Sequence, residues 1–303
     1  MRCVSAETSM SPDHIEVERI KLESSLGFEV SADLRRPVNG CALVGVAIFC
    51  HGFSGTKYSH LTTSLAAAGY VAISIDFPGY GNTLPGSGRV LPIEQIHLVR
   101  EFADYADASF GPDKLPIVLV GASLGGAVAL LAAQQDKRFK AIVLAHPLAS
   151  GLEFLERRYP DKASMEQFWN RVEIAELTGD KLHRSEIALL PKRLTGFLPG
   201  DTAMEFTPRF ATQFAALSVL GVVAKLAPRR VLVLHCDGDP MITTADVQAI
   251  VEGAQGNAKL HLMEGGDHFI FDSPEVIDLT IRWLDDATRG PTTPADYFVS
   301  ISK

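Results

Sequence analysis

One serine of this chain lies in a sequence setting that could make it a nucleophile. Ser123 is the centre of Gly121-Ala122-Ser123-Leu124-Gly125 and follows the apolar run 115–120. Helix-forming residues continue over 126–133, so the pattern predicts a strand, a sharp turn and a helix. Such a turn strains the backbone at the serine and requires small residues two positions before and after it. The pattern therefore predicts an exposed hydroxyl that can attack a carbonyl carbon.

Backbone N–H groups near this serine could stabilise the charge that such an attack creates. The first N–H groups of a helix have no partner within the helix and lie at the positive end of its dipole, and Leu124 would carry one of them. A second donor is expected from Cys50-His51-Gly52-Phe53-Ser54-Gly55, the loop after the first parallel strand. The tight His-Gly turn should bring the N–H of Phe53 towards Ser123, so Phe53 and Leu124 form the predicted oxyanion hole. For His51 we favour a role in shaping this loop over a catalytic one.

A serine hydroxyl is a poor nucleophile at neutral pH, so it needs a base within hydrogen-bond reach. Among nine histidines, His268 lies in the glycine-rich stretch Gly265-Gly266-Asp267-His268-Phe269, between the last predicted strand and the last predicted helix. That loop belongs at the same sheet edge as Ser123. His268 is therefore the predicted base, although without its partners a surface or helix-capping histidine would be the favoured interpretation.

A carboxylate usually orients such a base, and two candidates follow the predicted strand 230–235. Asp237 and Asp239 both lie at the end of this strand, and either could instead be only a turn residue. With either one the chain order is Ser, Asp, His. This is the order of the α/β-hydrolase arrangement and differs from that of two other well-known serine hydrolase folds.

The elements that would position these residues follow from hydrophobic periodicity. Residues 15–36 alternate as two strands of an antiparallel hairpin with Leu26-Gly27 in or near the turn. Beyond them, continuous apolar strands alternate with amphipathic helices, which predicts an α/β fold with a mostly parallel, doubly wound sheet. The predicted strands are 45–50, 71–75, 117–120, 141–145, 230–235 and 259–263, and the predicted helices are 59–68, 93–108, 126–135, 244–253 and 274–287.

One long interval interrupts this alternation and predicts a helical cap. Residues 148–225 contain no clear buried strand, and such an insertion should lie over the carboxyl ends of the strands, where these sheets bind ligands. We expect most of its aromatic residues to form the cap's own small core: Phe154, Tyr159, Phe168, Trp169, Phe197, Phe206, Phe210 and Phe214. The predicted hydrolase-like core is 15–147 with 226–287. Residues 1–14 are expected as a disordered lead-in, and 288–303 as a flexible or packing tail.

Composition narrows the classes of partner and location. The 303 residues are 47% hydrophobic and 21% charged, which is typical of a globular protein. The net charge of −8, without a Lys/Arg-rich run, argues against nucleic acid or an anionic membrane surface as partner. No apolar run is long enough to span a membrane and no secretory pattern opens the chain, so we expect a cytoplasmic protein. The apolar end 297–299 makes a homodimer a hypothesis.

Cofactor motifs are missing from the sequence. The four cysteines lack C-x-x-C spacing, which argues against a zinc site or disulfide scaffold and favours buried free thiols. There is no H-E-x-x-H, no P-loop and no dinucleotide glycine fingerprint. The sequence therefore predicts neither a metal nor an organic cofactor.

Taken together, residues 15–287 resemble the α/β-hydrolase fold superfamily, within its capped esterase and acyl-hydrolase branch. The resemblance depends on five stretches: His51-Gly52-Phe53, Asp76-Phe77-Pro78-Gly79-Tyr80-Gly81, residues 121–126, residues 235–240 and residues 265–268. Members commonly have Gly-x-x-Asp after the penultimate strand, which selects Asp239 over Asp237, with Cys236 in place of the glycine. A serine nucleophile argues against the epoxide-hydrolase and dehalogenase members.

The resemblance implies acyl transfer in two steps, with Ser123 as nucleophile, His268 as base and Asp239 as its orienting carboxylate. A carboxylic ester of a small, apolar or aromatic compound is the first expectation. A thioester, amide or lactone, carbon–carbon cleavage, and a biosynthetic acyl transferase or cyclase are compatible with the same residues. A ligand receptor that keeps the fold and signals through cap movement is an alternative of another class.

Overall fold

Apolar strands and amphipathic helices alternate along the chain of the computed structural model, which describes residues 2–10, 15–38, 42–55, 57–110, 115–187 and 205–289. The strands are β1 (Arg2–Met10), β2 (Ile15–Glu23), β3 (Glu29–Pro37), β4 (Gly45–Cys50), β5 (Tyr70–Ile75), β6 (Ile117–Ala122), β7 (Phe139–Ala145), β8 (Leu182–His183), β9 (Glu205–Phe206), β10 (Arg230–Cys236) and β11 (Ala258–Met263). The helices are α1 (Ser59–Ala67), α2 (Pro92–Ser109), α3 (Leu124–Gln135), α4 (Gly151–Arg158), α5 (Lys162–Thr178), α6 (Arg184–Ile187), α7 (Pro208–Ala216), α8 (Thr244–Gly253) and α9 (Pro274–Arg289).

A 9-stranded sheet, in the order β1-β2-β3-β5-β4-β6-β7-β10-β11, forms the centre of the molecule. The six strands from β5 to β11 in this order run parallel, and β3 joins them antiparallel to β5. The predicted α/β class, the mostly parallel sheet and the hairpin of β2 and β3 are confirmed. Each predicted strand and helix of the core ends within two residues of the observed one.

The N-terminal segment differs from its prediction as a disordered lead-in. Residues 2–10 form β1, which pairs antiparallel with β2 from Arg2 opposite Glu23 to Met10 opposite Glu16. Without β1, the outer side of β2 would present a row of unpaired backbone N–H and C=O groups, which a further strand satisfies. Sequence periodicity missed it because backbone pairing at a sheet edge needs little apolar content. Residues 1 and 11–14 lie outside the described ranges.

Helices cover both faces of the sheet, which explains why its central strands are apolar throughout. Every residue of β4, β5 and β6 is buried. On one face α2 and α3 contribute side chains such as Phe102 and Leu130, and on the other α1 and α9 contribute Leu61 and Trp283. Parallel strands enclosed in this way lose the alternation of half-exposed strands. No helix in the described part of the chain is long and apolar enough to cross a bilayer.

The segment predicted as a cap, 148–225, lies between β7 and β10 and carries α4 to α7 with the short pair β8 and β9. Within it, the ring of Phe168 stacks on Tyr159 with centroids 4.8 Å apart and meets Trp169 edge-on at 5.0 Å. A second group, Phe206, Phe210 and Phe214, packs its rings around Phe53 of the core, at 5.4, 5.3 and 5.5 Å. Some aromatic residues of the segment therefore pack on one another, and others pack on the loop after β4. Phe197 lies outside the described residues.

Two of the cysteines, Cys50 and Cys236, are buried free thiols, as predicted. They end β4 and β10, next to the loops that line the candidate site described below. The side chain of Cys3 and all of Cys41 fall outside the described part, as does the tail 290–303, so the hypothesis of a homodimer through 297–299 stays a prediction.

Candidate active site

Ser123 forms the sharp turn that joins β6 to α3. Its backbone angles are φ 55° and ψ −121°, a conformation that residues other than glycine rarely adopt. The turn is held by its own backbone, since Ser123 N donates to Ala145 O at 2.9 Å and its carbonyl accepts from Leu148 N at 3.1 Å. A Cβ on Gly125 would overlap the carbonyl oxygens of Cys50 and His51. The serine turn is thus pressed against the end of β4, as the glycine spacing predicts.

The two residues that are predicted to donate N–H groups to an oxyanion lie close to this serine. Leu124 is the first residue of α3, so its N–H has no acceptor within the helix. A Cβ on Gly52 would lie 2.9 Å from the Cβ of Ser123, which shows how closely the loop after β4 approaches the serine. Phe53 follows directly and lines the same small cavity as Ser123. The fold thus brings both predicted donors to one place.

His51 connects this loop to its neighbour. Its Nδ1 lies 2.9 Å from the carbonyl oxygen of Gly52, and its Nε2 accepts from the N–H of Phe77 at 3.2 Å. The ring is buried and packs edge-on against Phe77 and Tyr80. With both ring nitrogens bonded to backbone atoms, His51 is suited to shaping the loop.

His268 and Asp239 meet at the carboxyl end of the sheet. Nδ1 of His268 lies 2.7 Å from Oδ2 of Asp239, and the Asp239 side chain is fully buried. The other carboxylate oxygen accepts the N–H groups of Met241 at 2.7 Å and Ile242 at 3.2 Å. The competing candidate, Asp237, instead accepts the N–H of Gly265 at 2.6 Å. Of the two aspartates, Asp239 is the one that reaches the histidine.

Ser123 and His268 line the same small cavity. Phe53 lies in the same wall. Leu124 follows Ser123 directly in the chain, and Asp239 is hydrogen-bonded to His268. A serine hydroxyl, a histidine whose ring is held by a carboxylate, and backbone N–H groups near the serine are the groups that acyl transfer through a serine requires.

Two further histidines, which the sequence reasoning missed, extend this site inward. His146 directly follows β7, has φ 45°, and is 1% exposed. Its Nδ1 lies 2.8 Å from Oδ2 of Asp239 and 2.8 Å from Nδ1 of His235, which is fully buried in β10. The signal was present in the sequence, because β7 lies between β6 and β10 and a polar residue at its carboxyl end must face the same edge.

Charge in this cluster is concentrated on Asp239. Burial raises the pKa of its carboxyl, but hydrogen bonds and attraction from His146 and His268 more than offset burial and hold the pKa well below its usual range. Burial, aided by the neighbouring histidines, lowers the pKa of His146 and brings that of His235 to about 4. Near neutral pH, Asp239 is ionised and these two imidazoles are neutral.

The same cluster has the composition of a metal site. One ligand atom each from His146, Asp239 and His268 lie within 4.8 Å of one another. However, the Nδ1 of His268 and Oδ2 of Asp239 already bind each other, so an ion there would have to separate them. The donors therefore fit a hydrogen-bonded cluster better than a resident metal.

Arg184, at the start of α6, also lines the cavity and is 3% exposed. The sequence reasoning did not single it out, because an arginine in a predicted cap is usually a surface residue.

Comparisons with known proteins agree with this architecture. A model of the alpha/beta hydrolase family matches residues 47–278. The chain is 34% identical over 107 residues to an uncharacterised 31.7 kDa protein of the traX-finO intergenic region of Escherichia coli, covering 34% of this chain and 37% of that one. It is 30% identical over 128 residues to phospholipase YtpA of Bacillus subtilis, covering 40% and 47%. The chain thus spans less than half the length of either relative.

Among solved structures, a soluble variant of monoglyceride lipase from Saccharomyces cerevisiae superimposes with a TM-score of 0.70. The superposition covers 88% of this chain and 94% of the lipase at 19% identity, a likeness that concerns the fold. Because the family model covers most of the sheet and the segment inserted into it, this chain belongs to the alpha/beta hydrolase family.

Proposed function

We propose that this protein is a serine hydrolase that cleaves a carboxylic ester of a small, apolar or aromatic compound through an acyl-enzyme. The observation that carries the proposal is the pairing of a strained Ser123 at the start of α3 with the buried Asp239–His268 pair beside the same cavity. The family and the lipase and phospholipase names of its relatives support hydrolysis of acyl bonds.

In the first step, Nε2 of His268 accepts the proton of the Ser123 hydroxyl as its oxygen attacks the ester carbonyl. Asp239 holds the imidazole through Nδ1 and stabilises the positive charge that the ring acquires. The N–H groups of Phe53 and Leu124 donate to the oxyanion. His268 then returns the proton to the departing alcohol oxygen, and Ser123 remains acylated.

In the second step, water takes the place of the alcohol. His268 accepts a proton from the water as its oxygen attacks the acyl carbon, and the proton returns to Ser123 when the acid leaves. Hydrolysis and acyl transfer differ only in which molecule attacks the acyl-enzyme. A site that excludes water and admits another nucleophile would therefore make the same residues an acyl transferase.

Residues 148–225 would act as the cap over this site. Their ring cluster of Phe206, Phe210 and Phe214 packs on Phe53, next to a predicted oxyanion donor, so substrate bulk on that side should meet apolar walls. This supports a small apolar or aromatic substrate. We also propose a cytoplasmic location.

Turnover of p-nitrophenyl esters tests the proposal. We expect the wild type to hydrolyse short-chain esters with a burst of p-nitrophenol and to gain the mass of one acyl group when quenched early. Ser123→Ala should show neither the burst nor the added mass. Wild-type protein that binds esters without turnover or acylation would contradict the proposal and favour a receptor.

A further inference from the structure

Arg184 lies in the wall of the cavity that contains Ser123 and His268, although it belongs to the inserted segment. It is 3% exposed, and no solvent reaches its guanidinium nitrogens. Nε, Nη1 and Nη2 all lack a hydrogen-bond acceptor within the described part of the chain. An arginine that is both this buried and this poorly satisfied is rare in a folded protein.

The groups around Arg184 already have partners of their own. Glu186, the nearest acid along the chain, accepts from the N–H of His183 at 2.6 Å and pairs with Arg171 at 3.1 Å. Tyr80, whose charge state influences that of Arg184, donates its hydroxyl to the carbonyl oxygen of Phe53 at 3.2 Å. None of these groups is available to neutralise the guanidinium.

Such burial is unfavourable for the protein alone. Burial lowers the pKa of Arg184, but a guanidinium stays protonated in proteins, so its charge must be compensated by another group. Among the described residues that line the cavity, Arg184 is the only arginine or lysine, and no aspartate or glutamate accompanies it. No described residue of the cavity supplies this negative charge, so a molecule that enters the cavity is the source that we consider.

We propose that Arg184 binds a carboxylate of the substrate, so that the ester cleaved at Ser123 carries a free carboxylate group. This inference rests on the proposed function and narrows its substrate class. The planar fork of a guanidinium matches a carboxylate with two parallel hydrogen bonds.

A carboxylate fits this site better than a phosphate monoester does. One guanidinium balances one negative charge, whereas a phosphate monoester would bring nearly two into a cavity with no second arginine or lysine among its described residues. The rest of the wall includes the apolar or aromatic side chains of Phe53, Tyr58 and Phe269. A small acid with an apolar body is therefore the expected ligand.

Calorimetry tests the anion site without requiring turnover. We expect wild-type protein to bind benzoate or butanoate at least about 10-fold more tightly than benzamide or butanamide, since hydrogen bonds to charged groups are the stronger ones. Arg184→Met should lose this preference and Arg184→Lys should retain part of it. Arg209→Met, which removes an exposed arginine of the same segment, is the matched control and should keep it.

Ester pairs extend the test to catalysis and to either side of the scissile bond. One pair is para-acetoxybenzoate and para-acetoxybenzamide; the other is the mono-p-nitrophenyl ester of terephthalate and that of its monoamide. Within at least one pair we expect a kcat/KM about 10-fold or more in favour of the carboxylate. This ratio should fall to about one in Arg184→Met and stay unchanged in Arg209→Met.

Equal binding of acids and amides by the wild type would overturn the carboxylate site, and so would binding of inorganic phosphate with none of the carboxylates. A preference that survives in folded Arg184→Met would overturn the assignment to Arg184. Labelling of Ser123 by a fluorophosphonate separates the two proposals. A labelled protein without carboxylate preference refutes only the anion site, whereas an unlabelled protein that binds benzoate through Arg184 refutes only the serine mechanism.

Discussion

Nδ1 of His146 lies 2.8 Å from Oδ2 of Asp239, the same oxygen that receives Nδ1 of His268 at 2.7 Å. Two imidazoles therefore share one buried carboxylate oxygen. Because Nδ1 of His146 also lies 2.8 Å from Nδ1 of His235, only one of these two nitrogens can carry the proton between them. The carboxylate favours the proton on His146. His146 is thus suited to positioning Asp239.

Replacing His146 should weaken catalysis without removing it. We expect His146→Phe to lower kcat/KM for p-nitrophenyl esters by roughly 10-fold, or about 1.4 kcal/mol, because Asp239 loses one of its two imidazole partners. The pKa of Asp239 should rise, because the carboxylate loses the hydrogen bond and the attraction that His146 supplies.

His146→Asn, which keeps a side-chain N–H donor, is the matched variant and should retain more activity than His146→Phe. A thermal melt establishes that both variants fold. Folded His146→Phe with the kinetics of the wild type would show that His146 only fills space.

Substitutions of the two aspartates after β10 should have very different effects on kcat. Asp239→Asn cannot hold the imidazole in the required tautomer, and kcat should fall by roughly a thousand-fold or more. Asp237→Asn removes only the charge, since its amide oxygen can still accept the N–H of Gly265, and kcat should stay within about 5-fold of the wild type. Steady-state kinetics on both variants check this. A larger loss in Asp237→Asn would transfer the orienting role to Asp237.

Stability should decrease with acid because of His235. Burial and the neighbouring His146 lower its native pKa from 6.5 to about 4, so between these values the unfolded chain binds a proton that the native protein does not. The free energy of unfolding should therefore keep its full value above about pH 6.5. It should decrease as the pH falls to about 4, by up to about 1.4 kcal/mol per pH unit.

Urea unfolding across this pH range measures the slope. His235→Phe should flatten it, whereas His60→Gln, which changes an exposed histidine, should leave it as it is. Equal slopes in the wild type and His235→Phe would mean that His235 titrates normally in the native protein.

Gly125, two residues after Ser123, should tolerate no side chain. In Gly125→Ala the new Cβ would overlap backbone oxygens of Cys50 and His51, so we expect a destabilisation of about 1–3 kcal/mol or more. Gly253→Ala, with its nearest neighbour 3.7 Å away near the end of α8, should be neutral or stabilising by up to about 1 kcal/mol. Thermal melts compare them. A Gly125→Ala protein as stable as the wild type would contradict the tight approach of the serine turn to β4.

The sequence predicted the core elements and the loops that carry Ser123 and His268 because each depends on a local pattern, whereas the choice of Asp239 over Asp237 depended on the family resemblance. A strand followed by Gly-x-Ser-x-Gly, and polar residues directly after apolar strands, carry their meaning within a few positions. β1 was missed because its pairing with β2 satisfies backbone groups and leaves little trace in composition.

His146 and Arg184 were missed for a different reason. Their importance comes from contacts across the fold, with Asp239 from another strand and with a cavity built by several loops. The burial of an arginine in a segment rich in charged residues cannot be read from periodicity. Once the strand order is known, however, any polar residue that ends β7 must lie between Ser123 and Asp239.

The most direct test of the central claim is reaction with a fluorophosphonate probe, followed by intact mass and peptide mapping. We predict that the wild type gains one probe, attached to Ser123, that Ser123→Ala gains none, and that His268→Ala reacts at least about a hundred-fold more slowly. An unlabelled wild type, or a probe attached elsewhere and retained in Ser123→Ala, would contradict the assignment of Ser123 as an activated nucleophile.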